Sequence, residues 1–82
     1  MRFPLDYTPC VRTFEILEES DDSFYGAKVG ERFTTKSVDE DGDLWLDPAE
    51  NPCIREEFWK DMPTICILRP VEIELGLVKE IV

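Results

Sequence analysis

The chain has 82 residues, enough for one domain over residues 1–82 and too few for both a core and a deep catalytic cleft. Its 19 acidic residues oppose nine basic ones, and the net charge of -10 disfavours direct binding to nucleic acid or to an anionic membrane. Hydrophobic residues make up 43% of the chain, which favours a folded domain over a disordered one.

The N-terminal third predicts an extended arm, one strand and an acidic loop. The arm covers residues 1–9, where Pro4 and Pro9 disfavour regular structure. Apolar and polar side chains alternate in residues 11–17, which predicts a half-buried strand. Residues 18–23 are polar and acidic and predict a loop.

A β-hairpin is predicted in the middle of the chain. Residues 32–38 are rich in Thr and Phe and predict a strand, and residues 44–46 predict the return strand. Between them Asp41-Gly42 supplies the positive φ that tight hairpin turns need. We therefore expect the two runs to pair antiparallel across the turn at residues 39–43.

The C-terminal half predicts one short helix followed by strands. Asn51, followed by a proline, is a good N-cap for a helix over residues 52–61. Residues 64–69 are strongly apolar and predict a strand. Residues 71–75 alternate apolar and acidic side chains, which predicts a half-buried strand, and residues 77–82 are a short apolar tail.

About five short strands with one short helix predict a mainly β domain, built as a small antiparallel, strongly bent sheet or as a barrel without open edges. Residues 28–33 (KVGERF) and 37–46 (SVDEDGDLWL) resemble the opening hairpin of SH3-like barrels in short phage-encoded and mobile-element proteins. The resemblance covers about a quarter of the chain. It implies an SH3-like barrel and a viral or accessory setting, but no particular function, because such folds carry many.

The acidic turn also invites comparison with a calcium-binding loop. Five acidic residues between Asp39 and Glu50 stand at positions one, three, five, nine and twelve of an EF-hand. However, Leu44 occupies the sixth position, where that loop needs glycine, and the preceding run predicts a strand rather than a helix. A hairpin turn accounts for the aspartates without a metal, so we expect neither a metal nor another cofactor.

The sequence offers no recognisable catalytic group. It contains no histidine, which is the usual base for a cysteine nucleophile and the commonest zinc ligand. Cys10, Cys53 and Cys66 are odd in number and widely spaced, which favours free, inert thiols and a cytoplasmic location (the host cytoplasm if the source is viral). Cys66 lies in an apolar run and is expected in the core. We expect no enzymatic activity and, without a long apolar run, no membrane association.

The acidic residues are unevenly distributed. Eleven of the nineteen lie in residues 13–27 and 37–54, two stretches without Lys or Arg. If the first loop folds back over the sheet, the two stretches form one negative face with aromatic anchors. Two solvated loops beside a buried Trp would give the same pattern. The predicted binding residues are acids and aromatics of these stretches: Glu18, Glu19, Asp21, Asp22, Tyr25, Asp39, Glu40, Asp41, Asp43 and Trp45.

Two functions lead at this point, and a third, an enzyme or metal sensor, comes last and would be favoured by a calcium-dependent shift in melting. The first is a stoichiometric binder or inhibitor whose carboxylates mimic nucleic-acid charge on the basic groove of a host protein. The second is a structural or scaffold module that forms homo-oligomers, with its apolar C-terminal end adding a strand to a neighbour and its acidity serving solubility only. Salt-sensitive binding to a basic protein favours the first, and a salt-insensitive oligomer favours the second.

Overall fold

A computed structural model describes residues 8–18 and 24–82, with the backbone alone at Phe58. Strands in these residues form two antiparallel sheets, of order β1-β4-β5-β6 and β3-β2-β7. The helix α1 covers Pro70–Glu74. The mainly β, antiparallel class is therefore confirmed, but the described strands do not close into a barrel. The strands are β1 (Thr8–Pro9), β2 (Thr13–Ile16), β3 (Arg32–Thr34), β4 (Ser37–Val38), β5 (Leu44–Leu46), β6 (Ile65–Leu68) and β7 (Val78–Ile81).

Both sheets contribute apolar side chains to one core. In the smaller sheet the ring of Phe33 lies 5.9 Å from that of Phe14 and 6.2 Å from that of Phe24, between ring centroids. Burying an aromatic or aliphatic side chain of this size contributes about 1.5–3 kcal/mol. The core residues, all 5% exposed or less, are Phe14, Ile16, Phe24, Phe33, Leu44, Leu46, Ile54, Ile65, Ile67, Leu68 and Val78.

The segment predicted as one strand, residues 32–38, is bent and contributes a strand to each sheet. Its first part, β3, pairs with β2, and its last part, β4, pairs with β5. The predicted hairpin is therefore confirmed for β4 and β5, whereas β3 belongs to the other sheet. One bent segment thus connects the two layers, as the strongly bent sheet expected from the sequence requires.

Thr35 lies at the bend and is 2% exposed. Its hydroxyl accepts the backbone N–H of Arg12 at 3.0 Å and donates to the carbonyl of Cys10 at 2.9 Å. Its backbone N–H donates to the Arg12 carbonyl at 2.8 Å. A buried hydroxyl needs hydrogen-bond partners, and these lie on the segment between β1 and β2. The bend is therefore held by that neighbouring segment.

The helix predicted over residues 52–61 does not form. This segment consists of turns and a short 3₁₀ helix at Glu56–Phe58. Asn51, the predicted N-cap, is 5% exposed, and its side chain bonds elsewhere. Its Oδ1 accepts the Thr34 N–H at 2.7 Å, and its Nδ2 donates to the carbonyls of Thr34 and Asp47 at 3.2 and 2.8 Å. The amide thus imitates a neighbouring strand on the outer edge of β3, so it cannot cap a helix.

The strand predicted over residues 71–75 is also wrong, because most of these residues belong to α1. Pro70 occupies the first helical position, where a missing N–H costs nothing. The carboxylate of Glu72 accepts the Arg69 N–H at 2.7 Å, as in a capping box. This local hydrogen bond starts a helix that the alternating pattern did not indicate.

Both ends of the described chain take part in sheets. The predicted apolar tail contains β7, which pairs antiparallel with β2. Thr8–Pro9, predicted as part of the extended arm, form β1 against β4. The rest of the predicted arm, residues 1–7, lies outside the described residues.

Asn51→Ala is expected to destabilise the protein by about 2–3 kcal/mol, because the edge of β3 loses its hydrogen-bond partners. Urea unfolding followed by Trp fluorescence measures the effect. The control is Glu50→Ala at the exposed neighbouring position, expected to stay within about 0.5 kcal/mol of the wild type. Equal stability of the two variants would contradict the proposed role of Asn51.

Candidate functional site

The acidic turn, residues 39–43, joins β4 to β5. The Asp39 N–H donates to the Asp43 carbonyl at 3.0 Å, and the Gly42 N–H donates to the Asp39 carbonyl at 3.1 Å. Gly42 has a φ of 86°, which confirms the positive φ predicted there, and Asp41 does not share it. The geometry is that of a three-residue hairpin loop with glycine in the left-handed position. A Cβ at Gly42 would lie 3.2 Å from Pro70, so the turn packs against the start of α1.

The carboxylate of Asp39 organises this turn. Its Oδ1 accepts the backbone N–H groups of Asp41 at 2.9 Å and of Asp43 at 3.0 Å. Its Oδ2 accepts the indole N–H of Trp45 at 2.9 Å. Hydrogen bonds to an ionised acceptor are roughly twice as strong as neutral ones. One side chain therefore fixes both the loop backbone and the orientation of Trp45.

The pKa values of Asp39 and Asp43 shift in opposite directions. Desolvation alone would raise the pKa of Asp39, but the hydrogen bonds from Trp45 and from the backbone of the turn together lower it. Desolvation, and then the charges of Asp39 and Asp41, raise the pKa of Asp43. Because the folded-state pKa of Asp39 is lowered, its stabilising contribution is present above the unfolded-state pKa and is lost as the pH falls through the folded-state value.

The turn concentrates negative charge. One carboxylate oxygen from each of Asp39, Asp41 and Asp43 lies within 4.8 Å of the other two. Carboxylate oxygens are the ligands that calcium and magnesium prefer. The Asp39 oxygens, however, already accept N–H groups of the protein, and Asp41 is exposed. Hairpin geometry accounts for the arrangement, and we assign no metal to it.

Trp45 lies on the outer face of the larger sheet, next to the turn. It stands opposite Ser37 on β4 and opposite Cys66 on β6, and residues paired in this way share one face of the sheet. All three are half-buried. Cys66 was expected in the core, but it alternates with the buried Ile65 and Ile67 and so lies on this outer face.

The half-buried Cys66 thiol lies on the strand next to Trp45 and within electrostatic reach of several carboxylates. Burial, and then the charges of Asp43, Asp39 and Glu72, raise the pKa of Cys66 to about 11. Burial, and then the charge of Cys66, raise the pKa of Tyr25. The thiol therefore stays protonated at neutral pH, and its titration is coupled electrostatically to Tyr25 and to these acids.

Tyr25 occupies a tight turn that the sequence pattern did not reveal. The Ala27 N–H donates to the Phe24 carbonyl at 2.9 Å, and Tyr25 and Gly26 have φ values of 49° and 88°, as in a type I′ turn. Tyrosine is unusual at the first central position, where Asn, Asp and Gly predominate. The Arg55 N–H donates to the Tyr25 carbonyl at 3.0 Å. A side chain at position 26 would collide with that of Arg55, so glycine is required there.

The predicted binding residues are only partly brought together. Trp45 is paired with Cys66, and Tyr25, Asp39 and Asp43 interact electrostatically with its thiol. Asp41 and the exposed Glu40 lie with Asp39 and Asp43 in the acidic turn. Glu72, which was not predicted, adds a carboxylate from α1. The exposed Glu18 follows β2, and its N–H donates to the Leu77 carbonyl beyond α1. Glu19, Asp21 and Asp22 lie outside the described residues, so the single negative face stays a prediction.

Comparisons with protein-family models, with curated proteins and with solved structures find no match to this chain. In residues 8–18 and 24–82, no helix has the length and apolar character needed to cross a membrane. The site must therefore be interpreted from its own chemistry.

Replacing Asp39 and Asp41 separately by Ala distinguishes the turn's organiser from its exposed neighbour. Asp39→Ala is expected to cost roughly 2 kcal/mol in urea unfolding at neutral pH and to shift the Trp45 emission, because three N–H groups lose their acceptor. This difference from the wild type shrinks as the pH falls and Asp39 becomes protonated. Asp41→Ala removes the same charge and is expected to stay within about 0.5 kcal/mol. Similar effects of the two changes would show that charge alone matters.

Proposed function

We propose that this chain is a non-catalytic, acidic protein-binding domain that docks on a basic surface of a partner protein. Its carboxylates take the place of nucleic-acid phosphates, as in an inhibitor of a nucleic-acid-handling protein. The observation that supports this most directly is the acidic turn, where three carboxylates within 4.8 Å of one another adjoin the half-buried Trp45.

The turn concentrates negative charge, as the phosphates of a nucleic acid do. One carboxylate oxygen from each of its three aspartates lies within 4.8 Å of the other two. Because Asp39 already bonds the loop backbone, little conformational entropy remains to be lost on binding.

The neighbouring aromatic side chains supply a contact of another kind. Trp45 and Tyr25 are both half-buried; Trp45 is paired with Cys66, and Tyr25 interacts electrostatically with the same thiol. Trp and Tyr with an accessible part are enriched at the energetic centres of protein interfaces. The net charge of -10 would steer a basic partner toward the domain before these contacts form.

The proposal includes an absence of catalysis and a cytoplasmic location, in the host if the source is viral. A thiol whose pKa is about 11 is almost entirely protonated at neutral pH and is a poor nucleophile. The three cysteines are free thiols, as a reducing compartment would keep them. The alternative scaffold function has less support as an exchange of strands between copies, because the C-terminal strand pairs with β2 of its own chain and has only its outer edge left for a neighbour.

The test compares two triple variants that remove the same number of charges. The site variant carries Glu40→Gln, Asp41→Asn and Asp43→Asn, and the control carries Glu56→Gln, Glu57→Gln and Glu74→Gln at exposed positions elsewhere. Immobilised wild type is expected to retain basic proteins of the host lysate at low salt. Double-stranded DNA should compete them off. The site variant should bind the retained protein at least about tenfold more weakly, while the control stays near the wild type.

Two results would contradict the proposal. One is equal retention of basic proteins by the site variant and the control, which would mean that the acidic residues act only through the net charge of the domain. The other is a salt-insensitive homo-oligomer that retains no basic protein, which would support the scaffold alternative.

A further inference from the structure

The smaller sheet, of order β3-β2-β7, has two edges of different character. The edge of β3 is covered by side chains. Asn51 pairs with the backbone N–H and C=O of Thr34, and the Cys53 thiol donates to the Arg32 carbonyl at 3.3 Å. Among residues 8–18 and 24–82, no side chain covers the edge of β7 in this way.

The register of the sheet shows which backbone groups of β7 face outward. The Ile16 N–H donates to the Glu31 carbonyl at 3.0 Å, and the Ile16 carbonyl accepts the Gly30 N–H at 2.8 Å, so both groups point away from β7. Val78 stands opposite Ile16 and must turn its own N–H and C=O away from β2. Glu80, two residues later, does the same. In the described part of the chain, no hydrogen bond joins these four groups to another strand or loop.

Charges alternate across the outer face of this sheet. The Arg32 guanidinium lies 3.1 Å from the Glu15 carboxylate, and Lys79 stands directly opposite Glu15 on the far side. Across β3, β2 and β7, the side chains of Arg32, Glu15 and Lys79 therefore form a row of charges that is positive, negative and positive. Opposite charges directly across a strand pair stabilise it, and like charges destabilise it. A strand added next to β7 would continue the row best with a carboxylate opposite Lys79.

A second copy of this chain does not meet that requirement. When β7 pairs antiparallel with β7 of a second copy across a two-fold axis, the paired side chains must share a face of the sheet. This requires one residue of β7 to lie directly opposite the same residue of the second copy. The two registers with the greatest overlap place Lys79 against Lys79 of the second copy, or Glu80 against its equivalent. Both oppose like charges, which is a common protection of edge strands against self-association.

We propose that the outer edge of β7 binds an extended segment of a partner protein as an added antiparallel strand. The segment carries Asp or Glu opposite Lys79 and an apolar residue opposite Ile81, which is half-buried and lies two residues from Lys79 on the same face of β7. Its remaining residues are neutral or basic, since the domain itself carries a net charge of -10. This proposal is independent of the proposed function, because it uses another sheet and the opposite local charge.

The probe is the heptapeptide acetyl-Lys-Val-Thr-Glu-Thr-Val-Lys-amide, titrated into the full ¹⁵N-labelled chain. We expect the amide signals of Val78 and Glu80 to shift and their hydrogen exchange to slow. A peptide with Lys in place of its Glu should bind about threefold or more weakly. The variant Lys79→Glu should reverse this preference. Unchanged signals at Val78 and Glu80, or equal affinity for both peptides, would overturn the proposal.

A pair of variants at one position tests the backbone contact itself. Glu80→Pro removes an outward N–H without removing a bond to β2, and edge strands tolerate proline at such positions. Glu80→Gln keeps the N–H but loses the same ion pair with Arg12. Peptide binding should be lost in a folded Glu80→Pro protein and kept in Glu80→Gln. Equal binding by both, or a dimer that protects the β7 amides, would also overturn the proposal. Asp41→Asn with Asp43→Asn should leave peptide binding unchanged, which separates this test from that of the acidic turn.

Discussion

The hydroxyl of Thr35 holds the bend that the rest of the fold depends on. It accepts one backbone N–H and donates to one carbonyl of the segment between β1 and β2, in a position that is 2% exposed. Because of this bend, β3 extends one sheet and β4 begins pairing in the other. One residue later, the Lys36 N–H already donates to the Trp45 carbonyl at 2.7 Å. The acidic turn lies at the far end of β4, so its position follows from the bend.

The turn itself balances repulsion against local hydrogen bonding. Three neighbouring carboxylates repel one another, and this repulsion adds to desolvation in raising the pKa of Asp43. The hydrogen bonds accepted by Asp39 act in the opposite direction and lower its pKa despite desolvation. An exposed acidic loop without such bonds would spread its charges and lose its shape. In this chain one carboxylate holds the turn, and the other two stay available to a partner.

Sequence patterns predicted the elements whose signals are local and missed those decided by tertiary contacts. The core strands β2, β5 and β6, and glycine at position 42, follow from alternation, apolar runs and turn chemistry. Asn51 has a side chain suited to capping a helix. Its amide instead forms hydrogen bonds with the edge of β3 at Thr34, which is seventeen residues away in sequence. For α1, the alternation of acidic and apolar residues fits a strand equally well, and only the Glu72 hydrogen bond decides for a helix.

In the site, Asp39, Asp43 and Trp45 were predictable from charge and composition. The proximity of Cys66, Tyr25 and Glu72 required the three-dimensional arrangement.

The central claim is that the acidic turn is rigid before any partner binds. The ¹⁵N relaxation order parameters of the Asp41 and Asp43 amides test this most directly, measured in the free protein and compared with those of β5. The hydrogen bonds to Asp39 predict values of about 0.85, the same as for the strands. Values below about 0.6 at both amides would mean that the turn is mobile and that its carboxylates form no defined surface.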